Sequence, residues 1–188
     1  QQATASQAQA SSPTLVSNPP APIEATPSAA PPKTADDPYQ TVESIIIFKG
    51  RAVQMFGASP NTVVPLSKVV GRYQDEMPGL RVFVMAIPMG ADFFLPERIT
   101  KGVLKEKPII DHLYNILPAP ARGVRAYEAM AEHKSDYIFF RTDHHWTGLG
   151  AYYAYTAFAQ AAGFTPLALD ALTHKQIPNF LGSLYFRT

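Results

Sequence analysis

Residues 137–163 read YIFFRTDHHWTGLGAYYAYTAFAQAAG, and this stretch places a short apolar run, a polar loop and a long alanine- and aromatic-rich run in succession. Aromatic and β-branched side chains in the first four residues predict a strand. Thr147 predicts a helix N-cap, and Gly163 predicts the left-handed residue that ends the same helix. Small residues along one side of the helix would let it approach a sheet closely, and we expect it to be largely buried.

Working outward, strands and helices alternate from residue 64 to residue 163. Residues 80–87 are almost continuously apolar, which predicts a strand buried on both faces, as in a parallel sheet. The alternation predicts an α/β fold, a three-layer α/β/α domain with a mostly parallel sheet. The pattern also predicts a hairpin over residues 44–56, with a turn at Lys49-Gly50. Two helices are predicted, one over 59–77 with an apolar stripe at 66, 69, 70, 73 and 77, and one over 109–117 with Pro108 at its first position. The remaining predicted elements are a strand over 124–127, a helical turn over 129–134 and an irregular segment over 164–188.

The first 38 residues have a different composition from the rest of the chain. Gln, Ala, Ser, Thr and Pro dominate there, and eight of the eighteen prolines fall in this part. Such a segment buries too little apolar surface to offset its conformational entropy. We therefore predict a disordered linker over residues 1–38 and a single domain over residues 39–188.

Charge and cysteine content exclude several classes of protein. The net charge is +1 and no basic run occurs, which argues against a nucleic-acid partner. The absence of cysteine excludes disulfides, thiol catalysis and cysteine-ligated zinc. A Pro/Ala/Ser-rich stretch is typical of a spacer between a membrane anchor and an exported domain, although an ordinary disordered tail has the same composition.

Asp143 and His145 are the candidate catalytic pair. They lie between a predicted strand and a predicted helix, where open α/β sheets place their ligand sites. A carboxylate two residues away can fix one imidazole nitrogen, which leaves the other to take a proton from a hydroxyl nucleophile. Trp146 could wall the site or stack on a sugar, and Arg141 could hold an anionic group or the Asp143 carboxylate. His144 would point elsewhere and be structural.

Two other interpretations of the motif stay open on the residues alone. The histidines could simply pack at a helix start. Alternatively, Asp143, His144 and His145 could bind a metal, with His112, His133 or His174 completing the shell. Adjacent histidines rarely ligate one ion in a rigid site, and no HExxH spacing occurs, so we expect no metal.

The stretch from Tyr137 to Thr147, followed by Gly150-Ala151-Tyr152-Tyr153-Ala154-Tyr155, resembles the signature of the DHHW protein family. That family is similar to the SGNH-hydrolase-like O-acetyltransferases of exopolysaccharide modification, including the alginate type. Residues 78–84 with Pro88 resemble the family's first core strand, and residues 180–185 resemble its segment after the helix. The resemblance spans residues 43–186.

The resemblance implies a Ser-His-Asp triad in which Asp143 and His145 precede the serine in the chain. Gly-Asp-Ser occurs nowhere in the sequence, so the nucleophile is expected beyond Thr188, and the chain is expected to be the N-terminal portion of a longer protein with an incomplete sheet. Ser183 is a poor substitute because no strand-to-helix elbow surrounds it.

The implied function is that of an exported O-acyltransferase or esterase acting on a cell-surface or extracellular polysaccharide. It needs no cofactor, it takes its acyl group from a membrane partner, and it is held at the membrane by an N-terminal anchor. The alternative is a non-catalytic glycan-binding or scaffold module of the same fold.

Overall fold

The computed structural model describes residues 37–188, so all but the last two residues of the predicted linker lie outside the described residues. The described part is a mixed α/β structure with two small sheets. Its strands are β1 (Tyr39–Val42), β2 (Ile45–Phe48), β3 (Arg51–Gln54), β4 (Phe83–Val84) and β5 (Arg122–Gly123). Its helices are α1 (Val64–Glu76), α2 (Ala91–Phe94), α3 (Glu97–Thr100), α4 (Glu106–Asn115), α5 (Ala126–Glu132) and α6 (Gly148–Ala162), with 3₁₀ turns at Pro60–Val63, Leu169–Ala171 and Tyr185–Arg187.

The hairpin predicted over residues 44–56 is confirmed. Strands β2 and β3 pair antiparallel, and Phe48 faces Arg51 across a two-residue turn. Lys49 and Gly50 both have positive φ, 49° and 69°, which is the geometry that matches the twist of tight hairpins. Strand β1 adds a third antiparallel strand that the sequence pattern did not predict.

The two faces of this sheet pack against different parts of the chain. Phe48 and Val53 join a buried cluster with Leu95 from the segment after α2. On the other face, Ile45 and Ala52 pack against Leu184, which is only 1% exposed. The sheet therefore tethers the C-terminal segment to the domain through apolar burial.

The strand predicted over residues 80–87 is much shorter in the structure. Only Phe83–Val84 pairs, in parallel with Arg122–Gly123, and Leu80 and Met85 are exposed. The prediction of burial on both faces is wrong, because every residue from 80 to 87 is half-buried or exposed. The strand predicted over 124–127 is displaced to 122–123, and a mostly parallel three-layer sheet is not what residues 37–188 form.

Residues 137–147 double back on themselves rather than joining a ladder. Phe139 and Trp146 form an isolated antiparallel bridge, Thr147 N donates to Ile138 O at 2.9 Å, and Phe140 N donates to His145 O at 3.3 Å. The strand predicted over 137–140 is thus an extended segment that pairs with its own continuation. This pairing places residues 141–145 at the tip of a tight loop.

Helix α6 follows the loop directly and has the predicted ends. The Thr147 hydroxyl accepts a hydrogen bond from Gly150 N at 3.2 Å, and Gly163 has a φ of 84°. A Cβ at Gly150 would lie 2.3 Å from Ile138 O, so the helix does approach the extended segment closely. Its burial is less complete than predicted, since the three tyrosines near its start are half-buried.

Helix α1 is where predicted, but its apolar stripe is mostly not a core face. Val70 is buried, while Leu66, Val69, Tyr73 and Met77 are exposed.

None of the helices in residues 37–188 has the length and apolar character needed to cross a membrane.

Helix α4 begins at Glu106, so Pro108 sits in its first turn rather than at its first position. Two carboxyl groups lie at this end of the helix. Asp92 Oδ2 accepts from Glu106 N at 3.1 Å, and Glu106 Oε2 accepts from Met89 N at 2.6 Å. The Glu106 side chain belongs to a residue only 4% exposed. Burial raises the pKa of Glu106 to about 7, against the Met89 hydrogen bond and together with the nearby Asp92 charge.

A pKa raised in the folded state means that the folded protein binds the Glu106 proton more tightly than the unfolded chain. Stability should therefore fall as pH rises from about 4.5 to about 7, by at most about 3 kcal/mol. Glu106→Gln should remove this slope, which denaturant titrations at several pH values would measure. Glu97→Gln, at an exposed position, is the matched control and should keep the wild-type slope. An unchanged slope in Glu106→Gln would contradict the assignment.

Candidate active site

The Asp143 and His145 side chains meet at the tip of the loop that precedes α6. His145 Nδ1 and Asp143 Oδ1 are 2.6 Å apart, and the His145 backbone N–H donates to the same oxygen at 2.9 Å. The Asp143 side chain is 10% exposed and the His145 side chain is 63% exposed. An ionised carboxylate at Nδ1 fixes the proton there, which leaves Nε2 as the basic nitrogen of an exposed ring.

Asp143 is held in its ionised form. Burial opposes its ionisation, but hydrogen bonds from the Ser183 and His145 backbone N–H groups, and from the side chains of the same residues, outweigh burial and hold the pKa of Asp143 well below its usual range. A carboxylate that accepts several hydrogen bonds remains charged across the physiological pH range. Asp143 can therefore orient His145 and stabilise its protonated form.

The segment over residues 182–184, hereafter the clamp, supplies half of these hydrogen bonds. Ser183 N donates to Asp143 Oδ2 at 2.8 Å. Gly182 N donates to the Thr142 hydroxyl at 3.0 Å, and Leu184 N donates to Thr142 O at 3.0 Å. A Cβ at Gly182 would lie 2.4 Å from Asp143 Cβ, so only glycine allows this approach. The clamp positions the Asp143 carboxylate from a part of the chain 40 residues away.

Sequence reasoning missed this role. The sequence predicted an irregular segment over residues 164–188, and it indicated Ser183 only as a weak candidate nucleophile. The available signal was Gly182 beside a serine, within the stretch that resembles the family's segment after the helix. Nothing in that pattern reveals a contact with Asp143.

Ser183 is not placed to act as the nucleophile. Its hydroxyl lies 3.3 Å from His144 Nδ1 and hydrogen-bonds the Asp143 carboxylate. The structure gives it no contact with the basic nitrogen of His145. Ser183 is thus a positioning residue in this arrangement.

Ser183→Ala tests the positioning role. The backbone N–H bond to Asp143 remains in this variant, so the ester turnover that the family resemblance implies for the whole protein should fall by about tenfold or less. Ser135→Ala, at an exposed position, is the control and should leave turnover unchanged. A loss of about ten-thousandfold in Ser183→Ala would instead identify this hydroxyl as the nucleophile.

Arg141 and Trp146 lie on either side of the pair along the chain. Arg141 is exposed, its carbonyl accepts from Ala52 N at 2.8 Å, and its side chain has no ion pair within residues 37–188. Trp146 is half-buried and packs against the cluster of Met130, Ile138 and Phe139. A core-packing role for Trp146 is observed, while ligand contacts of both residues stay predictions.

Asp143, His144 and His145 also offer three ligand atoms within 4.8 Å of one another, as a metal site would. His112, His133 and His174 are not part of this group, so the shell considered from the sequence does not assemble in residues 37–188. Asp143 and the Nδ1 atom of His145 already bond to each other. The geometry favours a hydrogen-bonded acid-base pair over a metal centre.

Two surface cavities in the described part of the chain bear on the site. The larger, of about 190 Å³, is lined mainly by the segment between α1 and β4, with Gln74, Phe83, Pro120 and Arg122, and it shares no residue with the Asp143–His145 pair. The smaller one is lined by Arg51, Phe94, Asp143 and His144, among others. Chemistry rather than size identifies the site, because the larger cavity contains no carboxylate, imidazole or serine.

Comparisons with known proteins agree with the motif. A family model described as "DHHW protein" matches residues 61–188. The crystal structure of a DHHW family protein from Eubacterium siraeum is similar, with 25% identity and a TM-score of 0.72 over 79% of this chain and 50% of that chain. The structure of Bacillus cereus PatB1 with a sulfonyl adduct is similar in fold, with 18% identity and a TM-score of 0.54 over 68% of this chain and 45% of that one.

The chain thus spans about half the length of the solved structures that it matches. No curated protein matches it.

Proposed function

Since the family model covers more than half of its residues, the chain belongs to the DHHW protein family, and we propose that it carries the acid-base half of an acyl-transfer or ester-hydrolysis site. His145 is the general base and Asp143 orients it. The observation that supports this proposal is the 2.6 Å contact between Asp143 Oδ1 and His145 Nδ1, which leaves Nε2 of an exposed ring available.

The proposed chemistry proceeds through a seryl ester. His145 Nε2 takes the proton of a serine hydroxyl while the serine oxygen attacks the acyl carbonyl carbon. The resulting imidazolium is stabilised by the Asp143 carboxylate and then protonates the leaving group as the tetrahedral intermediate collapses. A sugar hydroxyl or water next attacks the acyl-serine carbonyl carbon and loses its proton to Nε2, and the imidazolium returns that proton to the serine oxygen as the ester bond breaks. Attack by a sugar hydroxyl gives acyl transfer, and attack by water gives hydrolysis.

We place the nucleophilic serine beyond Thr188. The sequence contains no Gly-Asp-Ser, and the Ser183 hydroxyl lies 3.3 Å from Nδ1 of His144, not at the base His145. The parallel pair of β4 and β5 would then be the start of a larger, three-layer SGNH-hydrolase-like sheet. The likeness in fold to PatB1 is compatible with this extension.

The proposed substrate is a polysaccharide outside the cytoplasm. The Pro/Ala/Ser-rich N-terminal composition suits a spacer that follows a membrane anchor, and the exposure of His145 suits a bulky acceptor. An acetyl donor delivered by a membrane protein would complete the reaction, as the resemblance to alginate-type acetyltransferases implies.

A second candidate is a glycan-binding or scaffold module without catalysis. It is favoured by one observation, that no serine hydroxyl in residues 37–188 contacts His145. The two candidates differ in whether the whole protein has an activated nucleophile.

An aryl sulfonyl fluoride distinguishes the two candidates, since PatB1 accommodates a sulfonyl adduct and such reagents modify activated hydroxyls. We expect mass spectrometry of the labelled whole protein to find one adduct, on a serine beyond Thr188. Labelling should slow by about a hundredfold or more in His145→Ala, because the hydroxyl loses its base. No adduct, together with saturable binding of a glycan, would favour the binding module; an adduct on Ser183 would refute the proposed nucleophile position.

A further inference from the structure

The Arg51 guanidinium lies beside the candidate site, and no carboxylate in residues 37–188 forms an ion pair with it. Its Nη1 donates to Phe139 O at 3.3 Å, and its guanidinium carbon lies 4.2 Å from the centre of the Phe94 ring. Three arginines of the described chain are ion-paired, Arg72 with Glu76, Arg125 with Glu128 and Arg187 with Glu43, whereas Arg51, like Arg81, Arg122 and Arg141, has no ion pair within residues 37–188. A guanidinium has five N–H donors, so most of those on Arg51 have no protein acceptor within residues 37–188.

Arg51 is partly shielded from water and lies near one other guanidinium, that of Arg141, while the ionised Asp143 carboxylate lines the same cleft. Burial, and then the nearby charge of Arg141, lowers the pKa of Arg51 from its usual value. Two guanidinium groups near each other, neither paired with a carboxylate in the described chain, repel one another. An anion between or beside them would relieve this repulsion.

The cleft that Arg51 lines contains both the orienting carboxylate and its neighbour. Arg51, Phe94, Asp143 and His144 all face this cleft. Its volume is about 10 Å³, which admits about one water-sized atom, such as one oxygen of a ligand, and not a sugar ring. His144 Nδ1 is near the Ser183 hydroxyl, so His144 Nε2 is left available as a second donor or acceptor at the cleft.

We propose that Arg51, with His144 beside it and Arg141 nearby, binds an anionic group of the ligand, a carboxylate or a phosphate, next to the Asp143–His145 pair. Arg51 supplies a planar fork of donors that matches the oxygens of either group. Phe94 supports the guanidinium through its ring face. His144 is then a binding residue and not a bystander.

The anion site at Arg51 adds a substrate class to the proposed function, and it rests on that function, because it is relevant to catalysis only if His145 is the base. If His145 activates a hydroxyl, an anionic group held at Arg51 positions the ligand relative to that base. The substrate class is then an acidic saccharide or a phosphate-bearing one, rather than a neutral glycan. Binding at Arg51 can be measured without turnover, so failure of the catalytic proposal and failure of this one give different results.

The test is an NMR titration of the protein with inorganic phosphate, D-glucuronate and D-glucose, observing the side-chain resonances of Arg51 and His144. Glucuronate, phosphate or both should give saturable shifts that weaken with added salt, and glucose should give none. Binding of glucuronate would identify the anionic group of the ligand as a carboxylate, and binding of inorganic phosphate would identify it as a phosphate. Arg51→Met should weaken that binding by about tenfold or more, because a charge-assisted pair is lost.

Two further variants keep the test decisive. Arg72→Met removes the same charge from exposed helix α1 and should leave anion binding unchanged. Arg51→Lys keeps the positive charge, so it should bind the anion more tightly than Arg51→Met does. This variant separates loss of the charge from misfolding as the cause of weaker binding in Arg51→Met. Binding of glucose equal to that of the anions, an equal loss in Arg72→Met, or no saturable binding of either anion would each overturn the proposal.

Discussion

Replacing His145 with alanine should abolish turnover of an acetyl ester by the whole protein while leaving the domain folded. The expected loss in kcat/KM is about a thousandfold or more, since removing the base of a triad leaves only binding and oxyanion stabilisation. The His145 side chain is 63% exposed, so its removal should change the free energy of unfolding by about 0.5 kcal/mol or less. Ester hydrolysis assays and thermal denaturation measure the two effects.

Two controls make the result specific. His174→Ala removes another exposed histidine, whose Nε2 lies 3.1 Å from Leu169 O, and it should leave activity unchanged. Asp143→Asn should retain the shape of the loop but weaken the orientation of His145, so its activity should also fall. Retained activity in His145→Ala, or a large stability loss with retained activity, would mean that the histidines serve packing alone.

Replacing Gly150 with alanine should have the largest effect on stability. The added Cβ would lie 2.3 Å from Ile138 O and 3.2 Å from Trp146 Cβ, and the first of these atoms is backbone that cannot rotate away. Either helix α6 or the extended segment before the loop must move. We expect a loss of about 2 to 4 kcal/mol in unfolding free energy, as for overpacked core positions. Ester turnover should fall with it, because the movement displaces residues 141–145.

Gly148→Ala is the matched control, two residues earlier in the same helix. Nothing lies within 4 Å of a Cβ at Gly148, so alanine should be tolerated there. Its higher helix propensity should stabilise the domain by up to about 1 kcal/mol. Denaturant titration of both variants measures the difference, and equal stabilities would show that α6 does not press on residues 137–139.

Local features were predictable because local physics decides them. The Lys49-Gly50 turn, the Thr147 cap and the Gly163 stop depend on neighbouring residues, and each is present where predicted. The contact between Asp143 and His145 belongs to the same class. A spacing of two residues in a tight loop brings carboxylate and imidazole together with little help from the rest of the fold.

Strand length and burial were not predictable in this way. Residues 80–87 have the composition of a buried central strand, yet a strand extends only as far as a neighbour pairs with it, and β4 has one neighbour over two residues. Residues 137–140 have the composition of a strand as well. They pair with residues 145–147 because backbone groups bond to the nearest available partner, and this pairing forms the loop of the candidate site.

By itself, the sequence predicted the contact between Asp143 and His145, the caps of α6 and the family resemblance. Only the tertiary structure decided what surrounds these two residues: the clamp that holds Asp143 in its charged form, and the Arg51 guanidinium, which has no ion pair within residues 37–188 and lines the same cleft. Ser183 lies 40 residues from Asp143, and Arg51 lies 88 residues from Phe139. Contacts between residues so far apart in the chain depend on how whole elements pack, and a local pattern of residues does not predict them.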